Sequence, residues 1–219
     1  MCGRFSLYSD PQKVSDYFNK DITANFESNY NIAPSNYSLA FQNEVNKPSM
    51  IKLKWGFSFK TEKNKSKMII NARSETLQFK KVFSSLIPNQ RCLIIANSWY
   101  EWNKAKNPYL IYNKNIPLIT FAGLKRVENN DEQTFVIITS EAKGKLADLH
   151  KRTPSIIKKE DHHIWLKSNS EKALDLLQSI SSDEYLFYRV SSKVGSVKNN
   201  NSSVIEKSFE TESQQLYLF

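Results

Sequence analysis

The sequence predicts an α+β protein, a single domain with a largely antiparallel, barrel-like β core and peripheral helices. Short runs rich in apolar, β-branched and aromatic residues outnumber the helical patterns. They do not alternate with long amphipathic helices, as the strands of a parallel βαβ protein would. The chain has 219 residues, of which 40% are hydrophobic. That is enough for one sizeable core or two small ones, and too apolar for disorder to describe the whole.

The elements follow in order. Asp10-Pro11 reads as a capping side chain with proline in the first turn, and Val14, Tyr17 and Phe18 follow at helical spacing, so a short helix is expected over 10–19. Tyr30 to Pro34 is extended, and Leu39-Ala40-Phe41 and Ile51 to Phe57 are strands separated by a turn-forming stretch from Asn43 to Pro48. Thr61 to Lys67 is a polar, basic loop leading into Met68-Ile69-Ile70. Ser74 is placed to cap a helix carrying Leu77, Phe79, Val82, Phe83 and Leu86, which stops before Pro88. Further strands are expected at 91–97, 109–112, 117–123 and 134–139, a helical turn at Lys145–Leu149, and an amphipathic helix over Ser170–Ile180. After Val204 the chain turns polar and ends in an apolar cluster, so residues 2–205 form the expected domain and 206–219 a flexible tail.

The formal net charge of +9 permits a polyanionic partner without identifying one. The two cysteines, Cys2 and Cys92, form no disulfide framework, and Cys92, in Arg91-Cys92-Leu93-Ile94, reads as a small core residue of a buried strand. The N-terminus lacks an apolar signal region and no run has the length of a membrane span, so a cytoplasmic protein that makes no membrane contact is expected. His150, His162 and His163 with Cys2 make no recognisable metal-ligand spacing, and no metal or cofactor is expected.

Position 2 carries specific chemistry. A small residue there permits removal of the initiator methionine, which would leave Cys2 with a free α-amine. That amine has a pKa of about 7.7–8.0, so roughly 10–20% of it is free base at pH 7. It condenses with an aldehyde to an imine, and the thiol on the same residue then closes a five-membered thiazolidine. Because both nucleophiles are tethered, the closure is intramolecular, a class of step that reaches effective molarities of about 10⁵–10⁸ M. Most cysteines at position 2 are nonetheless ordinary small residues, and the reading needs partners.

Glu101 lies in Trp99-Tyr100-Glu101-Trp102, where burial would raise its pKa toward proton shuttling at neutral pH, or where it is simply a surface strand residue. His150 reads as an acid–base residue or a structural histidine. Asn71 reads as a partner of the N-terminal amine or the satisfaction of a turn. Arg4, Arg73 and Arg152 each stand near one of these residues and have the geometry to bind phosphate bidentately.

Together these residues resemble the SOS-response-associated peptidase (SRAP) family, which includes abasic-site shielding proteins of bacteria and animals. The resemblance begins with Met1-Cys2-Gly3-Arg4-Phe5 and continues through Tyr30-Asn31-Ile32-Ala33-Pro34, Trp55-Gly56-Phe57 and Ile70-Asn71-Ala72-Arg73-Ser74-Glu75-Thr76. Trp99-Tyr100-Glu101-Trp102, Ala122-Gly123-Leu124, Thr139-Ser140-Glu141-Ala142, His150-Lys151-Arg152-Thr153-Pro154 and Val194-Gly195-Ser196-Val197-Lys198-Asn199 complete it. The resemblance implies a monomer in which Cys2 captures the ring-opened sugar aldehyde of an abasic site in single-stranded DNA as a thiazolidine. Asn71 would position the α-amine, Glu101 would transfer protons and assist autoproteolytic removal of Met1, and His150 would protonate the opened sugar oxygen. Gly3, Arg4, Arg73, Thr139, Ser140 and Arg152 would contact the DNA. Lyase activity by β-elimination is left open.

The chain departs from the family pattern in three places. Thr153 stands where methionine is usual, and Asn97-Ser98 where glycine is usual. A tryptophan-containing insertion common in relatives is replaced by Ser58-Phe59 and the basic loop, leaving Phe59 as a stacking platform or, preferably, a core residue. The last five residues, Gln215-Leu216-Tyr217-Leu218-Phe219, resemble the bacterial sliding-clamp-binding pentapeptide, with Gln215, Leu216, Leu218 and Phe219 as anchors, which would bring the protein to replication forks. The rival readings are a thiol peptidase using Cys2 with His150 and a non-covalent single-stranded DNA-binding protein.

Overall fold

The structure, a computed structural model, describes residues 2–22, 25–44, 47–60, 64–128, 131–177 and 182–208. The apolar runs become strands β1 (Phe5–Leu7), β2 (Asn29–Ile32), β3 (Tyr37–Glu44), β4 (Lys47–Trp55), β5 (Phe57–Lys60), β6 (Ser66–Ile69) and β7 (Asn71–Arg73). The second half adds β8 (Arg91–Ala96), β9 (Ser98–Trp102), β10 (Pro108–Asn113), β11 (Ile119–Val127), β12 (Gln133–Glu141), β13 (Arg152–Pro154) and β14 (Tyr185–Arg189). The α-helices are short: α1 (Pro11–Phe18), α2 (Lys81–Ser84), α3 (Lys145–Leu149), α4 (His162–Lys167) and α5 (Ser170–Asp175). Among the described residues, no helix is long and apolar enough to cross a membrane.

Strands β11, β8, β3, β4 and β12 pair in that order, and β12 pairs back with β11, so the ring closes into a barrel. Closure leaves none of these strands with a fully open edge. Strands β7 and β13 extend β12 beyond the ring. The described pairings are antiparallel except those of β12 with β4 and with β7. A second, wholly antiparallel sheet runs β14-β10-β9-β1-β2, and β5 with β6 makes a separate hairpin.

An aromatic chain ties the two sheets together. Phe5 lies 5.1 Å from Trp55 and 5.7 Å from Phe121, Trp99 meets Phe121 edge-on at 6.1 Å, and Trp55 stacks on Phe135 at 6.0 Å. All five side chains are fully buried, each contributing about 1.5–3 kcal/mol by burial. Cys92 is also fully buried, and its strand needs Gly123 opposite: a Cβ there would sit 3.0 Å from the Cys92 sulfur.

Several expectations are corrected. The helix expected from Ser74 is a 3₁₀ turn at Ser74–Thr76 and a separate α2. Leu77 and Phe83 are buried, but Phe79 between them is 84% exposed, so the apolar residues do not share one helical face. Ser66 and Lys67, expected in a loop, begin β6, and Phe59 on its partner strand is 40% exposed rather than core. Strands β1, β7, β13 and β14 and helix α4 were not anticipated; β1, β7 and β13 are three residues long and show no resolvable alternation. The helix expected over Ser170–Ile180 ends at Asp175 with Leu176 as its C-cap, and Leu177 already lies outside it; 178–181 lie outside the described residues.

At the departure before Trp99, the Asn97 side chain accepts from the Tyr8 and Ser9 backbone N–H at 2.7 and 3.0 Å and donates to Pro117 O at 2.6 Å. The turn that glycine would make is here tied down by side-chain bonds. Beyond Val204 the chain stays packed through a bridge of Val190 with Lys207 and a Ser208 N–H to Arg189 O bond of 2.9 Å.

Candidate active site at the N-terminus

Strand register brings the N-terminus to Glu101. Phe5 faces Trp99 across an antiparallel pair, and the Arg4 carbonyl accepts from the Tyr100 N–H at 2.9 Å. Carrying that register back along β1 puts Gly3 and Cys2 beside Glu101. Asn71 comes from the other sheet. The indole N–H of Trp55 holds the preceding carbonyl, Ile70 O, at 2.9 Å. From there the Asn71 Nδ2 donates to the Cys2 carbonyl at 2.7 Å. His150 enters at the C-terminus of α3, where its Nδ1 lies 3.7 Å from Glu101 Oε2. Four residues from four separate segments thus converge.

The electrostatics follow from burial. Glu101 is 4% exposed, and burial pushes its carboxyl up to about 7 against the lowering pull of the terminal ammonium. The Cys2 thiol is fully buried, and burial first, then the Glu101 charge, hold its pKa well above the ordinary thiol range. The thiol makes a weak contact with Arg4 O at 3.9 Å. Burial lowers the His150 pKa, so the imidazole is neutral at pH 7. Its Nδ1 lies 3.1 Å from the Arg152 backbone N and 3.0 Å from the Arg152 carbonyl, which leaves Nε2 as the ring nitrogen for chemistry. The Asn71 Oδ1 is a buried acceptor with no partner among the described residues, an open position for a donor beside Cys2.

The residues expected at DNA divide by placement. Arg73 is exposed at the end of β7, and Gly3 is half-buried beside Cys2. Arg152 is anchored by Glu75 at 2.7 Å and by the Thr139 carbonyl. Thr139 and Ser140 do not face solvent; Ser140 Oγ donates to Leu177 O at 2.8 Å and contacts Ser155 Oγ. Both side chains turn into the fold, where they hold Arg152 and the β13 segment.

Arg4 is also partly committed within the fold, donating to Asn31 Oδ1 at 2.9 Å and to Val194 O at 3.3 Å. Asn31 was not singled out as a site residue. It is 2% exposed, and its Nδ2 reaches Val194 O, Ser196 O and Asn199 O at 3.1, 3.0 and 2.8 Å, clamping the 194–199 segment beneath the N-terminus. Its signal was its place in Tyr30-Asn31-Ile32-Ala33-Pro34. Glu75 was likewise missed as the partner of Arg152. Among the described residues, no three His, Cys, Asp or Glu side chains gather as a metal ligand set.

A barrel-centred α+β fold with a buried N-terminal cysteine, an asparagine on its carbonyl and a carboxylate–imidazole pair defines a class of protein built around its own second residue. The family model described as SOS response associated peptidase (SRAP) matches residues 1–197, and the chain belongs to that family. It is 37% identical over 223 residues to abasic site processing protein YoqW of Bacillus subtilis (strain 168), covering 94% of this chain and 99% of the relative. It is 28% identical over 225 residues to abasic site processing protein YedK of Escherichia coli (strain K12), covering 94% and 99%. With abasic site processing protein HMCES of Pongo abelii the identity is 25% over 241 residues, covering 90% of this chain and 66% of that one. Among solved structures, a protein from Bacteroides thetaiotaomicron superposes with a TM-score of 0.78 at 18% identity, covering 94% of this chain and all of that one, which shows the shared fold.

Proposed function

We propose that this protein captures abasic sites in single-stranded DNA through a thiazolidine at Cys2, formed after Met1 is removed. The observation that carries the reading is the convergence of Asn71, Glu101 and His150 on Cys2, with Asn71 Nδ2 at 2.7 Å from the Cys2 carbonyl and Glu101 held near neutrality. The names of the relatives, abasic site processing proteins, agree with it.

The chemistry balances without a cofactor. The α-amine of mature Cys2 attacks the aldehyde carbon of the ring-opened sugar, and the carbinolamine loses water to give an imine. The thiol then adds to the imine carbon and its proton passes to nitrogen, so aldehyde and cysteine become thiazolidine and one water. Glu101, half ionised near pH 7, takes and returns these protons. Because the thiol is held protonated, the amine reacts first and the sulfur follows. The vacant Asn71 Oδ1 accepts from the α-amine while Nδ2 fixes the carbonyl. His150, as a neutral imidazole, polarises the sugar oxygen released on ring opening by donating a hydrogen bond from Nε2–H, and the proton itself comes from protonated Glu101. Before capture, Glu101 activates the water that hydrolyses the Met1–Cys2 bond. Arg73, Arg152 and Arg4 hold flanking phosphates, with the exposed Phe59 as a stacking face. A thiol peptidase needs a thiolate stabilised near neutral pH, and burial and Glu101 act in the opposite direction on Cys2.

The test incubates mature protein with an abasic single-stranded oligonucleotide and resolves products under denaturing conditions. An adduct that survives high salt and denaturant is expected, whereas a purely ionic complex would weaken, log K falling against log salt with a slope of about −0.7 per phosphate contacted. Asn71→Ala is expected to slow adduct formation at least tenfold; an unchanged rate would remove Asn71 from the site. The terminal motif Gln215–Phe219, outside the described residues, is proposed to tether the protein to a bacterial sliding clamp.

A further inference from the structure

On the face formed by α1 and α4 lies a cavity of about 300 Å³ that the chemistry at Cys2 does not use. Its floor is apolar. Phe18 packs on Phe41 with ring centroids 4.6 Å apart and stacks on His162 at 5.5 Å, and Tyr17 and Leu166 complete the wall. His162 is part of that floor and carries no charge: burial pulls its pKa down to about 4. Its Nε2 lies 2.9 Å from Thr120 Oγ1, which itself donates to Ile157 O at 2.7 Å, so the imidazole N–H points inward. The rim is cationic. Lys20, Lys159 and Lys167 surround the opening, with Lys159 Nζ 4.7 Å from the centre of the Tyr17 ring. Glu160 stands close by but leaves the rim with an excess of positive charge.

We propose that this cavity docks a short acidic peptide segment of a partner protein that carries one large apolar or aromatic side chain. The volume sits at the lower end of small-molecule sites, which span about 300–1,000 Å³, and suits one anchoring side chain better than a whole cofactor. Three lysines from three segments, Lys20 after α1, Lys159 before α4 and Lys167 at its end, match several carboxylates along a chain. An apolar anchor inside a charged rim is the arrangement in which packing supplies affinity and charge supplies orientation and on-rate. The proposal is independent of the chemistry at Cys2.

The test measures anisotropy of fluorescein-labelled Glu-Asp-Glu-Asp-Leu-Phe on the full chain at low salt, beside the same peptide with the acids replaced by glutamine and asparagine. The acidic peptide is expected to bind saturably and the neutral one not. The pair Lys159→Glu and Lys167→Glu is expected to weaken binding about tenfold or more, while Lys104→Glu, an equal charge change outside the cavity, leaves it unchanged. The adduct yield on abasic DNA stays at the wild-type level in all three variants. Absence of binding, equal loss in Lys104→Glu, or displacement of the peptide by an unmodified single-stranded oligonucleotide would each overturn the proposal, the last by assigning the rim to DNA.

Discussion

Glu101 is the residue on which stability and the proposed chemistry pull in opposite directions. Its carboxyl ordinarily titrates at 4.5 and is raised to about 7 in the fold, so between those values the folded protein holds a proton that the unfolded chain has lost. Stability therefore falls as pH rises through that window and stays lowered above it. The full difference is on the order of 3 kcal/mol for a group this buried. Glu101→Gln removes the penalty, so thermal unfolding of the variant should match wild type near pH 4.5 and exceed it at pH 8. The same variant should form adduct about 10²-fold or more slowly and lose the rise in rate near pH 7. A variant that is no more stable at pH 8, or that keeps the wild-type rate profile, would show that the carboxylate is not a buried proton carrier. His150 Nδ1 lies 3.7 Å from Glu101 Oε2, so the proposed chemistry has the two groups side by side.

At the scale of elements, the site depends on segments that hold the N-terminus from below. Asn31 makes three bonds to carbonyls of the 194–199 segment and also receives Arg4. Asn31→Ala would strand these buried groups at about 1–3 kcal/mol for each left unsatisfied. The expected result is a lower melting temperature with faster amide exchange in Val194–Asn199; unchanged exchange there would contradict the clamp. Gly56 has φ +119°, and a Cβ would also meet Met68 Sδ at 2.4 Å. Gly56→Ala should destabilise by about 1–3 kcal/mol in denaturant unfolding, chiefly through backbone strain that Met68 cannot relieve by moving. Long strands such as β11 and β12 were legible because their apolar runs bury on both faces, and Asp10-Pro11 marked α1 through its cap. Strand β1 was not legible, since three residues carry no period and its place is set by Trp55, Trp99 and Phe121 far along the chain. The helix expected at Ser74 failed for a related reason: Leu77 and Phe83 answer to the core, while Phe79 answers to nothing within the fold.

For the molecule as a whole, a barrel-like core was readable from the predominance of strands and the family from ordered motifs, whereas closure of the barrel and the commitments of the arginines were not. Arg4, Arg73 and Arg152 look alike in sequence, and only the fold shows Arg4 held by Asn31, Arg152 held by Glu75, and Arg73 exposed. The same holds for Thr139 and Ser140, whose hydroxyls turn inward. The proposed tail acts apart from the domain, so deleting 215–219 should leave the melting temperature and adduct yield unchanged while abolishing sliding-clamp capture in a pull-down; retained capture would end that part of the account. Capture at Cys2 is read from the intact mass of the mature protein after reaction with an abasic single-stranded oligonucleotide, beside Cys2→Ala. The account predicts a denaturant-stable species at the summed mass of protein and oligonucleotide less one water, present for wild type and absent for Cys2→Ala. No such species from protein that has lost Met1, or an equal yield from Cys2→Ala, would contradict it.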